Sequence, residues 1–276
     1  MTNAISNVIV VSDMHCGCRL GLCPPSGITL DDGGEYRSSK VQRKLWEMWR
    51  EFWDEWVPEV THNEPYCVVV NGDCVDGVHH GSTTQISQNL KDQADIVYNV
   101  MKPIADACHA LYWIRGTPAH TGQSSIEEER CARRLKAVPN KEGQHARYEL
   151  WKKIGGDHLV HFMHHIGTTS SAAHEASAVN AELTAEIVEA GRWHERVPDV
   201  VVRSHRHRCI EVRIPADNGY VTAFTTASWQ LKTPFAYKIA GARLSPPQIG
   251  GSLIRYHGGE LYVRHKVWTI GRPDEE

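Results

Sequence analysis

The chain has 276 residues, of which 41% are hydrophobic and 23% are charged, an ordinary composition for a globular protein that buries a sizeable core. Its 30 basic and 33 acidic side chains give a formal net charge of −3 and form no basic stripe, so charge gives no indication of nucleic-acid binding, although it does not exclude it. Residues 1–12 lack the features of a signal peptide, and no apolar run reaches the ~20 residues that cross a bilayer. We therefore expect a cytoplasmic protein without a membrane partner.

Strands and helices alternate in the first half of the chain. Runs of apolar residues predict buried strands, and apolar residues at helical spacing predict the helices between them. In chain order these elements are a strand at 8–12, a helix at 39–57, a strand at 67–70, a helix at 84–107, a strand at 109–114 and a helix at 124–136. This order favours parallel strands joined by crossover helices.

Hairpins dominate the second half of the chain. Glycine-rich turns separate pairs of apolar runs, which is the sequence pattern of a hairpin. The elements are strands at 148–153 and 157–164, a helix at 172–190, a strand at 200–204 and hairpins at 210–225 and 253–268. We expect an α/β fold with one mixed sheet, or two sheets packed between helices, in a single domain over residues 1–276 with a core at about 6–230 and C-terminal hairpins at about 231–270.

Aspartate and histidine residues follow five of the predicted strands. In strand order they are Asp13 and His15, then Asp73 and Asp76, then His120 in the loop that begins with Gly116 and Thr117, then His164 and His165, and finally His205 and His207. Loops at the carboxyl ends of parallel strands are where open α/β sheets bind ligands. The D-x-H and H-x-H spacings place both side chains on one side of an extended segment, so that one cation can accept both. Unrelated turn caps are not expected to follow one strand after another in this way.

The order of these motifs resembles that of the calcineurin-like metallophosphoesterases. Asp13-x-His15, Gly72-Asp73, a lone His164 and His205-x-His207 match four of the motifs of that family. The resemblance implies an αββα sandwich of two mixed β-sheets flanked by helices. It also implies a dinuclear-metal-dependent phosphoesterase, which hydrolyses phosphoester bonds by in-line attack of a metal-bridging hydroxide.

The resemblance further implies which residues hold the two metal ions. One ion would be held by Asp13, His15, Asp73 and His207, and the other by Asp73, His164 and His205. Mixed Asp and His ligands suit divalent manganese, iron, zinc, nickel or cobalt, and the sequence does not choose among them.

The third motif departs from the family pattern. Where the family has Gly-Asn-His, this chain has Gly116-Thr117-Pro118-Ala119-His120. Thr117 stands in place of the ligand Asn, and its hydroxyl is a weaker ligand than a carboxamide oxygen, so it is either a ligand or a neighbour that orients one. His120 is the candidate catalytic residue, which stabilises the transition state or protonates the leaving oxygen; a ligand role and a plain loop position stay open.

Four further residues are assigned to the surroundings of the metal ions. Asp76 is predicted to orient a ligand histidine by accepting a hydrogen bond from its second ring nitrogen, although a ligand role stays open. His79, His80 and His165 are candidates for lining the substrate pocket, with surface loop positions as the equally good alternative.

The substrate is less defined than the reaction. A phosphodiester is slightly favoured, because a histidine that protonates the leaving group is most useful when that group is a poor alkoxide. A nuclease and a phosphomonoesterase are alternatives on the same site, as is a catalytically inactive metal-binding scaffold. The 231–251 segment is expected to shape the pocket, and Arg203, Arg206 and Arg208 either hold a phosphate or form structural ion pairs.

Overall fold

The structure is a computed structural model that describes residues 5–79, 81–122, 124–167, 169, 171–216, 219–239 and 245–271. The strands in these ranges are β1 (Asn7–Val11), β2 (Ile28–Thr29), β3 (Glu35–Tyr36), β4 (Tyr66–Asn71), β5 (Ala110–Ile114), β6 (Ala146–Arg147), β7 (Glu149–Ile154), β8 (His158–Met163), β9 (Val200–Arg203), β10 (Ile210–Ala216), β11 (Gly219–Thr225), β12 (Gln248–His257) and β13 (Glu260–Thr269). The α-helices are α1 (Lys40–Glu51), α2 (Val57–Thr61), α3 (Leu90–Ala107), α4 (Pro118–Thr121), α5 (Ile126–Arg134) and α6 (Glu175–Trp193).

The first sheet has the strand order β13-β12-β1-β4-β5-β6. Its strands β1, β4, β5 and β6 run parallel, as the alternation of strands and helices predicts. The C-terminal hairpin joins them through β12, which pairs antiparallel with β1. β1 is buried along its whole length, as expected for a strand that is covered on both faces. The parallel pairing brings the carboxyl ends of β1, β4 and β5 to one edge.

The second sheet has the strand order β10-β11-β9-β8-β7. Its centre is parallel, with β9 between β8 and β11, and its two ends are antiparallel hairpins. The carboxyl ends of β8 and β9 therefore lie side by side, and they carry His164 and the segment that contains His205 and His207.

The two sheets pack face to face. Val10 and Val69 on one face of the first sheet share a buried apolar cluster with Phe162, Val200 and Phe224 of the second. The alternation of side chains along a strand leaves the opposite face of each sheet for helices. The fold class predicted from the sequence, an αββα sandwich of two mixed sheets, is confirmed.

Helices cover both outer faces. Trp49 of α1 and Val97 of α3 pack on the first sheet, and Val179 and Leu183 of α6 pack with Val201 of the second. α3 and α6 have 18 and 19 residues and each buries one side against a sheet. Among the described residues, no helix combines the length and the hydrophobicity that a membrane span requires.

Most helix boundaries differ from the sequence prediction, including both ends of α5, which was predicted at 124–136 and spans Ile126–Arg134. Pro58 does not end the first helix, because the chain passes through a π-helical turn at Phe52–Trp56 into α2, where proline in the first turn needs no N–H partner. α3 begins at Leu90 rather than at residue 84, after Asn89, whose side chain accepts a hydrogen bond from Lys91 N at 3.0 Å. α6 continues past Gly191 to Trp193.

Candidate metal centre

The strand ends bring six of the predicted ligands into two compact groups. The first group is Asp13, His15 and His207, and the second group is Asp73, His164 and His205. Within each group, one ligand atom from every residue lies within 4.8 Å of the others. Asp73 belongs to the second group by this measure, so its sharing between two metal ions stays a prediction.

Left-handed backbone conformations occur at most of these six residues. The φ angles are 52° at Asp13, 44° at His15, 51° at Asp73, 70° at His205 and 55° at His207. The extended geometry inferred from the D-x-H and H-x-H spacings is therefore wrong, and both pairs converge through tight turns instead. Asp13 N donates to Gly72 O at 3.0 Å and His15 N donates to Asp73 O at 3.1 Å, which ties the first turn to the second. Strained backbone of this kind concentrates at functional sites.

The first group surrounds a carboxylate oxygen without a hydrogen bond. Asp13 is fully buried; its Oδ2 accepts from Ser12 Oγ at 2.5 Å, whereas its Oδ1 accepts no hydrogen bond among the described residues. The nearest ring nitrogen is His207 Nε2 at 3.2 Å, and His15 Nε2 lies 3.1 Å from that atom. Burial raises the pKa of Asp13, but His207 outweighs this and lowers the pKa to about 2. One anionic oxygen and two imidazole nitrogens thus face one point, which fits a divalent cation.

The second group has a histidine whose orientation is fixed by the backbone. His164 Nδ1 donates to the carbonyl oxygen of Asn71 at 2.6 Å, so Nε2 is left to face Asp73 Oδ2 at 3.0 Å. His205 Nδ1 lies 3.9 Å from the same oxygen. Burial disfavours the charge of Asp73, but His164 holds the pKa of this carboxyl well below its usual range. A ring nitrogen bound to a carbonyl with the other one pointing inward is the usual arrangement of a ligand histidine.

Thr117 directs its polar atoms at Asp73. Its backbone N–H donates to Asp73 Oδ1 at 2.7 Å, and its hydroxyl lies 3.0 Å from Oδ1 and 2.9 Å from Oδ2. Gly116 makes this contact possible, because a Cβ at this position would lie 2.1 Å from Asp73 Oδ1. Of the two roles that the sequence left open, the geometry favours a residue that orients Asp73.

Asp76 contacts His15 from the side opposite the first group. Its Oδ1 lies 3.3 Å from His15 Nδ1, which leaves His15 Nε2 to face Asp13 and His207. Gln85 and Gln230 donate to the two oxygens of Asp76 at 2.9 and 3.2 Å. Burial raises the pKa of Asp76, but the nearby rings of His15 and His79 outweigh it, and the pKa falls below its usual range. The two glutamines were not predicted, because nothing local in the sequence links residue 230 to residue 76.

His120 lies against the first group in the short helix α4. Its Nδ1 donates to Asp76 O at 2.7 Å, and its ring centroid is 4.5 Å from that of His15. Burial, aided by the charge of His15, lowers the pKa of His120 to about 4 and favours the neutral ring. His15, Asp76 and His120 also satisfy the 4.8 Å spacing as a third group. The catalytic role and the ligand role of His120 both stay predictions.

The three histidines predicted to line the substrate pocket have different surroundings. His79 Nε2 lies 3.7 Å from Asp76 Oδ1, and the residue lines the cavity above the metal centre. His165 stacks on His205 with ring centroids 4.7 Å apart, and burial lowers its pKa. His80 lies outside the described residues.

A cavity of about 430 Å³ opens above both groups. Asp73, His15, His120, His205 and His207 form part of its lining. Its outer walls come from residues 230–239 and 245–247 where these are described, so the segment expected to shape the pocket does so.

The three arginines beside the last motif have different surroundings. Arg203 is paired with Glu182 at 2.7 Å and Glu186 at 2.5 Å, and Arg208 is paired with Glu175 at 3.2 Å. Arg206 lines the cavity and donates through Nη2 to the Gly167 carbonyl. Its Nε and Nη1 are buried and have no hydrogen-bond partner within the described ranges. Arg206 is thus the arginine of the three with donors left for an anion.

Comparisons with known proteins give structural likenesses only. No protein-family model and no curated protein matches the chain. Among solved structures it is similar to a metallophosphoesterase from Sphaerobacter thermophilus (8% identity over 94% of this chain and 88% of that one, TM-score 0.40). It is also similar to vacuolar protein sorting 29 from Cryptosporidium parvum (10% identity over 97% of this chain and 100% of that one, TM-score 0.39). A third similar structure is the sulfate thiohydrolase SoxB from Thermus thermophilus (9% identity over 96% of this chain and 57% of that one, TM-score 0.43). With identities and TM-scores this low, the likenesses carry no conclusion about activity.

Proposed function

We propose that this protein is a metal-dependent phosphoesterase with two divalent metal ions at the carboxyl ends of β1, β4, β8 and β9. The observation that carries the proposal is the pair of groups, each with one carboxylate and two imidazoles and with two of its three residues buried. Asp13 Oδ1 and His164 Nε2 are buried, and the nearest polar atoms that face them are those of the other proposed ligands, His207 Nε2 at 3.2 Å and Asp73 Oδ2 at 3.0 Å, as expected of atoms that converge on a cation. The oxygen and nitrogen donors suit manganese, iron, zinc, nickel or cobalt.

The side chains have separate roles in the proposed reaction. When bound, the two ions supply the charge stabilisation and the activated water for an in-line displacement at phosphorus. The first and second groups hold them, and we propose that Asp73 contacts both. Asp76 orients His15, and Thr117 orients Asp73. We propose that Arg206, which lines the cavity, donates to the phosphoryl oxygens.

The substrate preference belongs to the proposal as well. We propose that His120, whose ring centroid is 4.5 Å from that of His15, acts on the leaving oxygen. This role requires that Nε2 carry a proton in the substrate complex, because the pKa of about 4 favours the neutral ring in the free protein. A phosphodiester is therefore favoured over a monoester, because an alkoxide leaves poorly without a proton donor. A nuclease is a weaker alternative, because the net charge of −3 gives no indication of nucleic-acid binding. The alternative that is not an enzyme is a catalytically inactive metal-binding scaffold.

The test measures metal content and turnover in the same preparations. Metal-stripped protein is reloaded with each candidate ion and assayed on bis-p-nitrophenyl phosphate and p-nitrophenyl phosphate, with Asp73→Ala as the variant. Asp92→Ala is the matched control, because Asp92 is also buried but accepts its hydrogen bonds from Asp31 and Ser87, outside the site.

The proposal predicts two ions per chain and metal-dependent hydrolysis, both lost in Asp73→Ala and kept in Asp92→Ala. Stoichiometric metal without turnover of either ester would favour the scaffold. Folded protein that binds none of the ions would refute the metal centre itself.

A further inference from the structure

One wall of the cavity is apolar and begins at the metal centre. Trp229 N donates to the carbonyl oxygen of Asp13 at 3.0 Å, and Leu231 N donates to Leu20 O at 2.8 Å. The chain then runs along the cavity, so the position of the wall is fixed by a backbone contact to a proposed ligand.

The wall exposes large apolar side chains at short spacing. Phe235, Tyr237 and Ile239 are 41%, 56% and 40% exposed, and Phe235 and Ile239 line the cavity together with Leu231 and Pro246. A 3-10 turn at Ala236–Lys238 fixes their spacing, with Lys238 N donating to Phe235 O at 2.9 Å. Exposed apolar side chains grouped beside a polar site mark a place where another molecule binds.

The charged residues around the cavity indicate which chemical group of a bound molecule lies away from the apolar wall. Arg206 lines the cavity and has two N–H groups without a hydrogen-bond partner in the described part of the chain, whereas Arg208 is paired with Glu175 and donates to Pro246 O at 3.3 Å. Lys232 lies over the ring of Tyr237 with its Nζ 4.1 Å from the centroid. A polynucleotide needs a continuous basic track along its phosphates, whereas this lining offers an anion-binding end at the metal centre and Arg206 and an apolar end at Phe235 and Ile239.

We infer that the substrate is a small phosphoester whose organic part is a compact apolar or aromatic group seated against Phe235 and Ile239. The cavity volume of about 430 Å³ matches a small organic ligand. This inference rests on the proposed phosphoesterase function, because the phosphoryl end is placed at the metal centre and Arg206.

The test compares the binding of two phosphonates that differ only in the organic group. Phenylphosphonate and methylphosphonate are titrated by calorimetry into metal-loaded protein, since neither is hydrolysed. Burial of a phenyl group against the wall predicts about tenfold or greater preference for phenylphosphonate. Phe235→Ala and Ile239→Ala should each lower that preference roughly three- to tenfold. Tyr220→Ala is the control, because Tyr220 is 64% exposed on β11 and does not line the cavity.

The outcomes separate this inference from the function on which it rests. Equal affinities for the two phosphonates, or no binding of either, overturn the apolar subsite even in a protein that hydrolyses phosphoesters. A phenyl preference that depends on Phe235, in a protein without turnover, supports the subsite while the proposed catalysis fails. If Phe235→Ala changes sedimentation but leaves the preference intact, the wall is a contact between two copies of the chain and the inference is wrong.

Discussion

Gly116→Ala tests whether the geometry of Asp73 controls metal binding. A Cβ at residue 116 would lie 2.1 Å from Asp73 Oδ1 and 2.3 Å from Asp73 N. One contact is with backbone, so the added methyl cannot be accommodated by a side-chain rotation alone, and either Asp73 or the Thr117 loop must move. Either movement breaks the 2.7 Å hydrogen bond from Thr117 N to Asp73 Oδ1.

The expected effect has a stability part and a metal part. Overpacking a tight site costs about 1–3 kcal/mol of unfolding free energy, and loss of a hydrogen bond that orients a ligand lowers metal affinity roughly 10- to 100-fold. Metal titration monitored by calorimetry, with urea unfolding of the same samples, measures both.

Gly191→Ala is the matched control for this substitution. Gly191 lies in α6, and a Cβ there meets nothing within 4 Å, so stability should stay the same or rise by about 0.5–1 kcal/mol without a change in metal affinity. Unchanged metal affinity in folded Gly116→Ala would show that the position of Asp73 does not govern the metal centre.

Three further predictions concern His120, Arg206 and Glu128. His120→Ala should retain both ions but slow turnover roughly 10²–10⁴-fold if the residue is a general acid; loss of one ion, measured by metal analysis, would make it a ligand. Arg206→Gln should weaken inorganic phosphate binding to the metal-loaded protein roughly tenfold or more, whereas Arg213→Gln on the exposed face of β10 should leave it unchanged. Burial raises the pKa of Glu128 from 4.5 to about 7, so the folded state keeps a proton that the unfolded state loses. Glu128 should therefore contribute a fall in stability of up to about 3 kcal/mol as pH rises from about 4.5 to 7. His120, whose pKa is lowered from 6.5 to about 4, contributes a rise over nearly the same range, so the Glu128 contribution is measured as the difference between metal-free wild type and Glu128→Gln in urea unfolding at each pH.

Local sequence patterns predicted the layers of the fold well. The apolar runs at residues 8–11 and 67–70 are buried strands, and the tryptophans that recur at helical spacing face the core, with Trp49 1% exposed. The boundaries that failed depend on tertiary contacts. Pro58 reads as a helix stop, yet the π-helical turn before it places this residue in the first turn of a new helix, where it is tolerated.

The site was predictable only where residues of characteristic type follow a strand. Asp13, His15 and Asp73 can be predicted from their residue type and their position after a strand. Gln85 and Gln230 have no distinguishing sequence pattern, and only the fold brings them to Asp76. Arg206 could not be distinguished from its neighbours Arg203 and Arg208, because the difference lies in which glutamates pair with them. Such partners are set by long-range packing and leave no local signal.

The left-handed backbone at five of the six proposed metal ligands explains how the fold directs their side chains towards the metal ions. Left-handed backbone is unfavourable for residues other than glycine, although Asp and His tolerate it better than most, so the five proposed ligands in this state together carry backbone strain. An extended loop would avoid this cost, but it would spread Asp13 from His15 and His205 from His207 along the strand direction. The tight turns instead aim both members of each pair at one point, and the backbone bonds from Asp13 N to Gly72 O and from His15 N to Asp73 O hold them there. A cation that binds both members of a pair would stabilise the strained form further, so metal binding should raise the unfolding temperature by more than the same ion does in Asp73→Ala. An equal rise in both proteins would show that the ion binds elsewhere and that the strain has another cause.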